Sequence, residues 1–213
     1  MSMKRPASQS PSSSKRRSES PLRVACLGDS NTCGGGLGKQ GAYPAQLQRE
    51  LDEQAGSSQY LVKSFGVSGA VAANTPGKKC FVHQQRYQDA LAFNANIFVV
   101  MLGTNDAWHR GGEPEKVGES VATLLGDLRV KAAASSKPHP ICVLALPPGV
   151  KEGRLRQNLE QHVHPALRKL AHTADTVLVD AEWTLDSFRP DKVHLSMSGA
   201  KTLAVAIASA ICS

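Results

Sequence analysis

Five short apolar runs, rich in valine and isoleucine and separated by segments of helical character, constrain the fold of this chain most strongly. The runs cover residues 22–27, 60–67, 96–102, 140–146 and 176–180. Continuous apolar runs of this length are typical of parallel strands that are buried on both faces of a sheet. The regular alternation therefore predicts an α/β fold, a three-layer α/β/α sandwich with a five-stranded parallel sheet.

The segments between these runs carry helix signals. We predict helices over residues 43–54, 113–134, 155–174 and 196–211. The first places Leu47 and Leu51 four positions apart, and the third repeats apolar residues at helical spacing. The second begins with Glu-Pro-Glu, which suits a helix N-terminus, and the last begins with two serines that are able to cap it. Together with the strands, these helices predict one folded domain over residues 22–213.

The positive charge of the chain is concentrated near its start. Five of the seven excess charges lie within residues 1–23, which hold six Lys and Arg residues against Glu19 alone. Residues 1–21 contain eight serines and three prolines without hydrophobic periodicity. Such a segment buries too little apolar surface to offset its ordering entropy, so we expect residues 1–21 to be a disordered tail.

Two basic clusters in this tail, Lys4-Arg5 and Lys15-Arg16-Arg17, are separated by nine residues. Their arrangement resembles a bipartite nuclear import signal, which predicts binding to a nuclear import receptor and a nuclear or cytoplasmic location. The alternative is a solvated leader that binds no receptor. Nucleic-acid binding is not expected, because no aromatic residues are interleaved with the basic clusters.

Several other classes of protein are disfavoured by the sequence. The five cysteines are scattered, without a CxxC motif or paired Cys/His spacing, so we expect reduced thiols and no metal site. No run of about 18 apolar residues is present to span a membrane, and no secretory signal follows the basic start. Residues 36–41 match GxGxxG but begin eight residues after Gly28, too far from the strand for a dinucleotide site. No cofactor is expected.

Polar motifs stand where the predicted strands end. Ser30 follows the first run in Gly-Asp-Ser, Asn105 follows the third in Gly-Thr-Asn-Asp, and Asp191 and His194 share Asp-Lys-Val-His after the last. The carboxyl ends of parallel strands lie at one edge of the sheet, so these residues are expected to meet. A serine hydroxyl needs a neutral imidazole to take its proton. We therefore predict Ser30 as nucleophile, His194 as base and Asp191 as the carboxylate that orients the base.

Attack on a carbonyl creates an oxyanion that preorganised donors must stabilise. The candidate donors are the side-chain amide of Asn105 and the backbone N–H groups of Ser30 and Gly69. A glycine at position 69 allows the backbone to approach the substrate closely. These donors complete the set of groups that acyl transfer through a serine requires.

Four sequence blocks resemble those of the SGNH (GDSL-like) hydrolases in order and spacing. They begin at Gly28, Gly66, Gly103 and Asp191, and the resemblance covers about residues 22–213. It implies a flavodoxin-like sheet and hydrolysis of an ester, often with a small acyl group. By matching position, it makes Ser30 the nucleophile, Gly69 and Asn105 oxyanion donors, and Asp191 and His194 the rest of the triad. Ser64 departs from the asparagine of many members, which bears on loop rigidity rather than on the chemistry.

We therefore expect a serine esterase that hydrolyses a small-molecule or acylated-glycan ester through an acyl-serine intermediate. Without a large insertion to form a lid, a small or surface-accessible ester is favoured. Two alternatives use the same residues: a catalytically idle relative that binds a ligand in the same cleft, and an acyltransferase that replaces water with an alcohol. Residues 33–41 are expected to form a mobile loop beside Ser30 that shapes the acyl pocket.

Overall fold

A five-stranded parallel sheet forms the centre of the protein in a computed structural model that describes residues 20–133, 140–174 and 176–213. The strands of this sheet and of a second, two-stranded sheet are, in chain order, β1 (Leu22–Gly28), β2 (Tyr60–Ser64), β3 (Ala70–Val71), β4 (Lys79–Cys80), β5 (Ile97–Met101), β6 (Ile141–Ala145) and β7 (Val177–Val179). The main sheet has the order β2-β1-β5-β6-β7, and all its neighbouring pairs are parallel. The predicted sheet is thus confirmed, with the strand order of flavodoxin-like folds.

Helices connect these strands. They are α1 (Ser30–Cys33), α2 (Gly38–Gly41), α3 (Tyr43–Ala55), α4 (Gln85–Ala92), α5 (Thr104–Trp108), α6 (Val117–Ala133), α7 (Arg154–Asn158), α8 (His164–Thr173) and α9 (Met197–Cys212). A π-helical turn, Leu159–Val163, joins α7 to α8. Ser196 caps α9, because its side chain accepts a hydrogen bond from the Gly199 N–H at 3.2 Å.

Two hydrophobic cores, one on each face of the main sheet, define the three layers. In β5, Ile97, Val99 and Met101 pack with residues of α3 and α9, whereas Phe98 and Val100 pack with residues of α4, α6 and α8. Successive side chains of a strand point to opposite faces, so this fully buried strand contributes to both cores. The predicted α/β/α sandwich is confirmed.

The boundaries of several elements differ from those predicted. The segment predicted as a helix over 113–134 begins as a 3₁₀ turn, Pro114–Lys116, and becomes α-helical at Val117. The helix predicted over 155–174 contains the π-helical turn. Apolar spacing does not distinguish such local variants from an α-helix. β2 ends at Ser64, before the predicted end at residue 67, because the chain then turns towards the polar motifs.

The chain between β2 and β5 contains structure that the sequence analysis did not predict. β3 and β4 pair in parallel to form a separate small sheet, and α4 follows a 3₁₀ turn, Phe81–His83. Strands of two residues are too short to show an apolar periodicity. The buried side chains of Tyr87 and Ala90 anchor α4 on the core.

The disordered tail and the nuclear import signal were predicted for a segment of which residues 1–19 lie outside the described residues. Both stay predictions. Ser20 and Pro21 precede β1 without regular secondary structure. Among the residues that the structure describes, no helix is both long and apolar enough to cross a membrane. Over the same ranges, no group of three or more His, Cys, Asp or Glu side chains is arranged to hold a metal ion.

Candidate active site

The polar motifs meet at the carboxyl ends of β1 and β5, where the strand order of the sheet reverses. Ser30 is the first residue of α1, directly after the β1–α1 turn, and is 9% exposed. Asp29 caps this helix, because its carboxylate accepts a 3.0 Å hydrogen bond from the Asn31 N–H. The short turn between strand and helix therefore fixes Ser30 at the edge of the sheet.

Ser30, His194 and Asp191 form a continuous hydrogen-bonded chain. His194 Nε2 lies 3.0 Å from Ser30 Oγ, and His194 Nδ1 lies 2.8 Å from Asp191 Oδ2. An ionised carboxylate only accepts hydrogen bonds, so Nδ1 carries the proton and Nε2 presents its lone pair to the serine hydroxyl. This is the tautomer that a general base requires. The fold thus brings together three residues that the sequence analysis assigned to one constellation.

The loop that carries His194 also holds Asp191. Asp191 Oδ1 accepts hydrogen bonds from the N–H groups of Val193 and His194, both at 2.9 Å. Lys192 adopts a left-handed φ of 57°, which is uncommon outside glycine. Partial burial raises the pKa of Asp191, but the two backbone donors and the His194 ring outweigh it and lower the pKa to about 2. Asp191 is therefore a carboxylate at neutral pH.

The three predicted oxyanion donors lie on three segments: Ser30 begins α1, Asn105 lies in α5, and Gly69 lies in the turn before β3. Gly69 has a φ of 77°, and a Cβ there would meet nothing within 4 Å, so this position requires left-handed backbone rather than space. Within the described chain, the N–H groups of Gly69 and Ser30 donate to no other residue. Asn105 Nδ2 donates to Ala70 O at 2.9 Å and lies 3.4 Å from Asp29 Oδ2. Asn105 is thereby held beside the loop that carries Gly69.

Asp106 anchors the same loop and is a residue whose role the sequence analysis missed. Its Oδ2 accepts a hydrogen bond from the Ala72 N–H and its Oδ1 one from the Ala73 N–H, both at 2.9 Å. The side chain is 1% exposed, and burial raises its pKa against the effect of these donors. Asp106 therefore ties α5, which carries Asn105, to the segment that follows Gly69. Its position next to Asn105 in the Gly-Thr-Asn-Asp motif was the sequence feature that could have indicated this role.

Asn31 is a second residue that the sequence analysis missed. It is 4% exposed; its Nδ2 donates to Val193 O at 3.3 Å, and its Oδ1 accepts from the Leu195 N–H at 2.9 Å. These two bonds flank His194 on both sides. Asn31 follows Ser30 directly, so one turn of α1 positions both Ser30 and the loop that carries His194.

The glycine-rich segment after Ser30 packs against the imidazole. A Cβ on Gly35 would lie 2.7 Å from His194 Cδ2, so a side chain there would displace the ring. Gly35 N donates to Ser30 O at 2.7 Å, and Gly35 O accepts from Arg189 Nη1 at 2.9 Å. Residues 33–41 include the helical turn α2, whereas the sequence analysis expected only a loop. The mobility of this segment stays a prediction.

Ser64 replaces the expected asparagine without leaving the loop unanchored. Its hydroxyl donates to Thr32 O at 2.8 Å and accepts from the Gly66 N–H at 3.4 Å. A Cβ on Gly66 would lie 2.4 Å from Cys33 N and 2.8 Å from Asp29 O, so this glycine permits close backbone packing. Ser64 and Gly66 together hold the end of β2 against α1.

Asp29 is a buried acid whose pKa is raised to about 6. Burial is the largest cause, and the nearby Asp106 carboxylate adds to it, while the hydrogen bond from the Asn31 N–H acts in the opposite direction. The native state therefore holds a proton on Asp29 at pH values where the unfolded chain has released it. The contribution of Asp29 to the free energy of unfolding is fully present below its unfolded pKa of 3.8 and is lost as the pH rises through its folded pKa of about 6.

Asp29→Asn is expected to remove this pH dependence. Relative to the wild type, the unfolding free energy of the variant should rise by up to about 3 kcal/mol between pH 4 and pH 7, because asparagine carries no titrating proton. Urea unfolding of both proteins at several pH values in this window measures the difference. A difference that stays constant with pH would show that Asp29 titrates alike in the folded and unfolded states.

Solved structures of other proteins share the fold of this chain. A carbohydrate acetylesterase from Sinorhizobium meliloti superposes with a TM-score of 0.72 at 20% identity, over 90% of this chain and 98% of that chain. An aryl esterase from M. smegmatis superposes with a TM-score of 0.73 at 18% identity, over 90% of this chain and 99% of that one. These similarities show the fold.

An acetylxylan esterase from Xylanibacter ruminicola is 31% identical over an aligned length of 215 positions, and the alignment covers 91% of this chain and 44% of that protein. The chain thus spans less than half the length of this curated relative. The family description "GDSL-like Lipase/Acylhydrolase" matches residues 26–202, a range that contains Ser30, Asn105, Asp191 and His194. This match covers most of the folded domain and confirms the resemblance inferred from the sequence blocks. The chain belongs to the GDSL-like lipase/acylhydrolase family.

Proposed function

We propose that this protein is a serine esterase that hydrolyses a carboxylic ester with a small acyl group through an acyl-serine intermediate. The observation that carries the proposal is the hydrogen-bonded chain from Ser30 Oγ through His194 to Asp191. Asn105, in α5, is held by its hydrogen bond to Ala70 O beside the turn that carries Gly69. A catalytically idle relative would have no need to retain all of these groups in this arrangement.

In the acylation step, Ser30 Oγ bonds to the ester carbonyl carbon while His194 Nε2 takes the hydroxyl proton. The carbonyl electrons move onto oxygen, and this oxyanion accepts hydrogen bonds from the N–H groups of Gly69 and Ser30. It also accepts one from Asn105 Nδ2, in place of the 3.4 Å bond that Asn105 makes to Asp29 Oδ2. Asp191 stabilises the resulting imidazolium. The tetrahedral intermediate then breaks its bond to the alkoxy oxygen, which leaves as an alcohol with the proton from His194.

In the deacylation step, water attacks the carbonyl carbon of acyl-Ser30 and gives a proton to His194. The same donors stabilise the second oxyanion. This intermediate breaks its bond to Ser30 Oγ, the carboxylic acid leaves, and the proton on His194 returns to Ser30. An acyltransferase would follow the same path with an alcohol in place of this water.

Acetyl esters of carbohydrates are the substrate class that we propose. The acetylxylan esterase from Xylanibacter ruminicola and the carbohydrate acetylesterase from Sinorhizobium meliloti support this choice by similarity. The segment between Ser30 and α3 contains only residues 31–42, with α1 and the turn α2, and this short connection favours a small acyl group.

The substrate proposal is tested by comparing nitrophenyl acetate, butyrate and octanoate with acetylated xylan as substrates of the purified protein. We expect kcat/KM to fall as the acyl chain lengthens, and acetic acid to be released from the xylan. Faster hydrolysis of octanoate would contradict the small acyl group. Formation of a new ester when an alcohol is added would instead favour acyl transfer, and no turnover of any ester would favour the idle relative.

Asn105→Ala is expected to lower kcat about 10²- to 10³-fold while KM changes little, because an oxyanion donor acts mainly in the transition state. Asn158→Ala is a matched control, since Asn158 Nδ2 also donates to a backbone carbonyl, Ala107 O at 2.8 Å. Steady-state kinetics of both variants, with circular dichroism to confirm folding, makes the comparison. A raised KM with unchanged kcat would make Asn105 a ground-state binding residue.

A further inference from the structure

A cavity of ≈ 340 Å³ lies beside the segment that follows Ser30. It is bounded by residues 33–45, by the end of β2 and by Arg86 of α4. Neither Ser30 nor His194 lines it, so the cavity is distinct from the proposed catalytic chain.

The charged side chains that line the cavity are all cationic: Lys39, Lys63 and Arg86. Lys63 Nζ lies over the aromatic rings of Phe65 and Phe93, 5.3 and 5.5 Å from their centroids. Among the described residues, the side chains of Lys39 and Arg86 have neither a hydrogen-bond nor an ion-pair partner. Three cations around one concave surface, with no acid in its lining, attract an anion to the mouth of the cavity, while the buried Asp29 carboxylate acts in the opposite direction at Cys33.

The wall of the cavity nearest Ser30 carries a thiol and a hydroxyl. The half-buried Cys33 thiol donates to Ser30 O at 3.4 Å, and Ser64 Oγ donates to Thr32 O at 2.8 Å. An anion in the cavity would therefore lie next to Cys33. The rate at which Cys33 reacts with an alkylating agent can report both the potential and the occupancy of the cavity.

We propose that this cavity binds an oxyanion group, a phosphate or a carboxylate carried by a small molecule, through Arg86, Lys39 and Lys63. A guanidinium binds either group with two parallel hydrogen bonds, and the two ammonium groups add charge around it. Ser64 and Cys33 already donate their hydrogens to Thr32 O and Ser30 O, so the three cations carry the binding. The proposal stands on the cavity alone and does not depend on the esterase reaction.

The electrostatic potential in the cavity is tested with iodoacetate and iodoacetamide, which are similar in size but differ in charge. Exposed Cys212 serves as the internal reference, while Cys26, Cys80 and Cys142 are buried. The ratio of the iodoacetate rate to the iodoacetamide rate at Cys33 is expressed relative to that at Cys212; the Asp29 carboxylate lowers this ratio and Arg86 raises it. Peptide mass spectrometry over time measures each rate. Arg86→Gln should reduce the ratio at Cys33 about twofold, whereas Lys169→Gln, a change on the exposed face of α8, should leave it unchanged.

Occupancy is tested by adding inorganic phosphate or succinate at up to tens of millimolar during iodoacetamide labelling, which covers weak affinities. Either anion should slow labelling of Cys33 and leave Cys212 unchanged, and the more effective one identifies the group as phosphate or carboxylate. Calorimetric titration, which requires no thiol reaction, should show binding that Arg86→Gln weakens about tenfold and Lys169→Gln preserves. Absence of calorimetric binding of both anions to the wild type, or equal binding to wild type and Arg86→Gln, would overturn the proposal.

Discussion

Ser30→Ala is expected to lower kcat/KM for an acetyl ester by about 10⁴- to 10⁶-fold, the range seen when the nucleophile of a serine hydrolase is removed. The alanine cannot bond to the carbonyl carbon, so no acyl-enzyme forms. Steady-state kinetics with nitrophenyl acetate measures the loss. The thermal unfolding midpoint should change little, because the only side-chain hydrogen bond described for Ser30 Oγ is that with His194.

A covalent readout separates the nucleophile from a residue that merely supports the site. A phosphonofluoridate should label the wild type at Ser30, and mass spectrometry of the Ser30→Ala variant should show no adduct at any residue. Wild-type activity in a verified Ser30→Ala preparation would refute the mechanism. Labelling of another serine in the variant would place the nucleophile elsewhere.

His194→Ala is expected to be nearly as severe as Ser30→Ala, because nucleophile and base act as a unit. The double variant should be no slower than either single variant, since loss of one partner already disables the other. Asp191→Asn should reduce activity no further than His194→Ala, because Asp191 only orients and stabilises the imidazole. Kinetics of the four variants on one substrate measures these relations.

Multiplicative losses in the double variant would contradict this joint action and show that Ser30 and His194 contribute independently. A folding control is direct, because the His194 side chain is 24% exposed and its removal leaves only a small cavity beside Gly35. Circular dichroism and the unfolding midpoint should therefore remain close to those of the wild type.

The main sheet was predictable because buried parallel strands leave a strong local signal. β5 is buried along its whole length and consists of Ile, Phe, Val, Val and Met. Strands of this kind need apolar side chains on both faces, so a continuous run is required wherever the strand passes through the centre of the sheet. The same rule places Ser30 and Asn105, which follow β1 and β5, at one edge of the sheet.

The details of the helices were not predictable, because propensity and spacing carry little information about local hydrogen bonding. The turn Leu159–Val163 has the apolar spacing of an α-helix, yet its bonding is that of a π-helix. β3 and β4 are held by pairing with each other. The secondary structure of such short elements is set by the residues packed around them rather than by the propensities of their own residues.

The sequence by itself determined the α/β sandwich and the five residues of the candidate catalytic site, because the apolar runs of the strands and the order of the motifs are local features of the sequence. Only the tertiary structure decided how those residues are held. Asn31 bonds on both sides of His194, Gly35 packs against its ring, and Asp106 ties α5 to the segment after Gly69. These contacts join loops that are distant in the chain, and hydrogen-bond geometry is set by their packing to within tenths of an ångström.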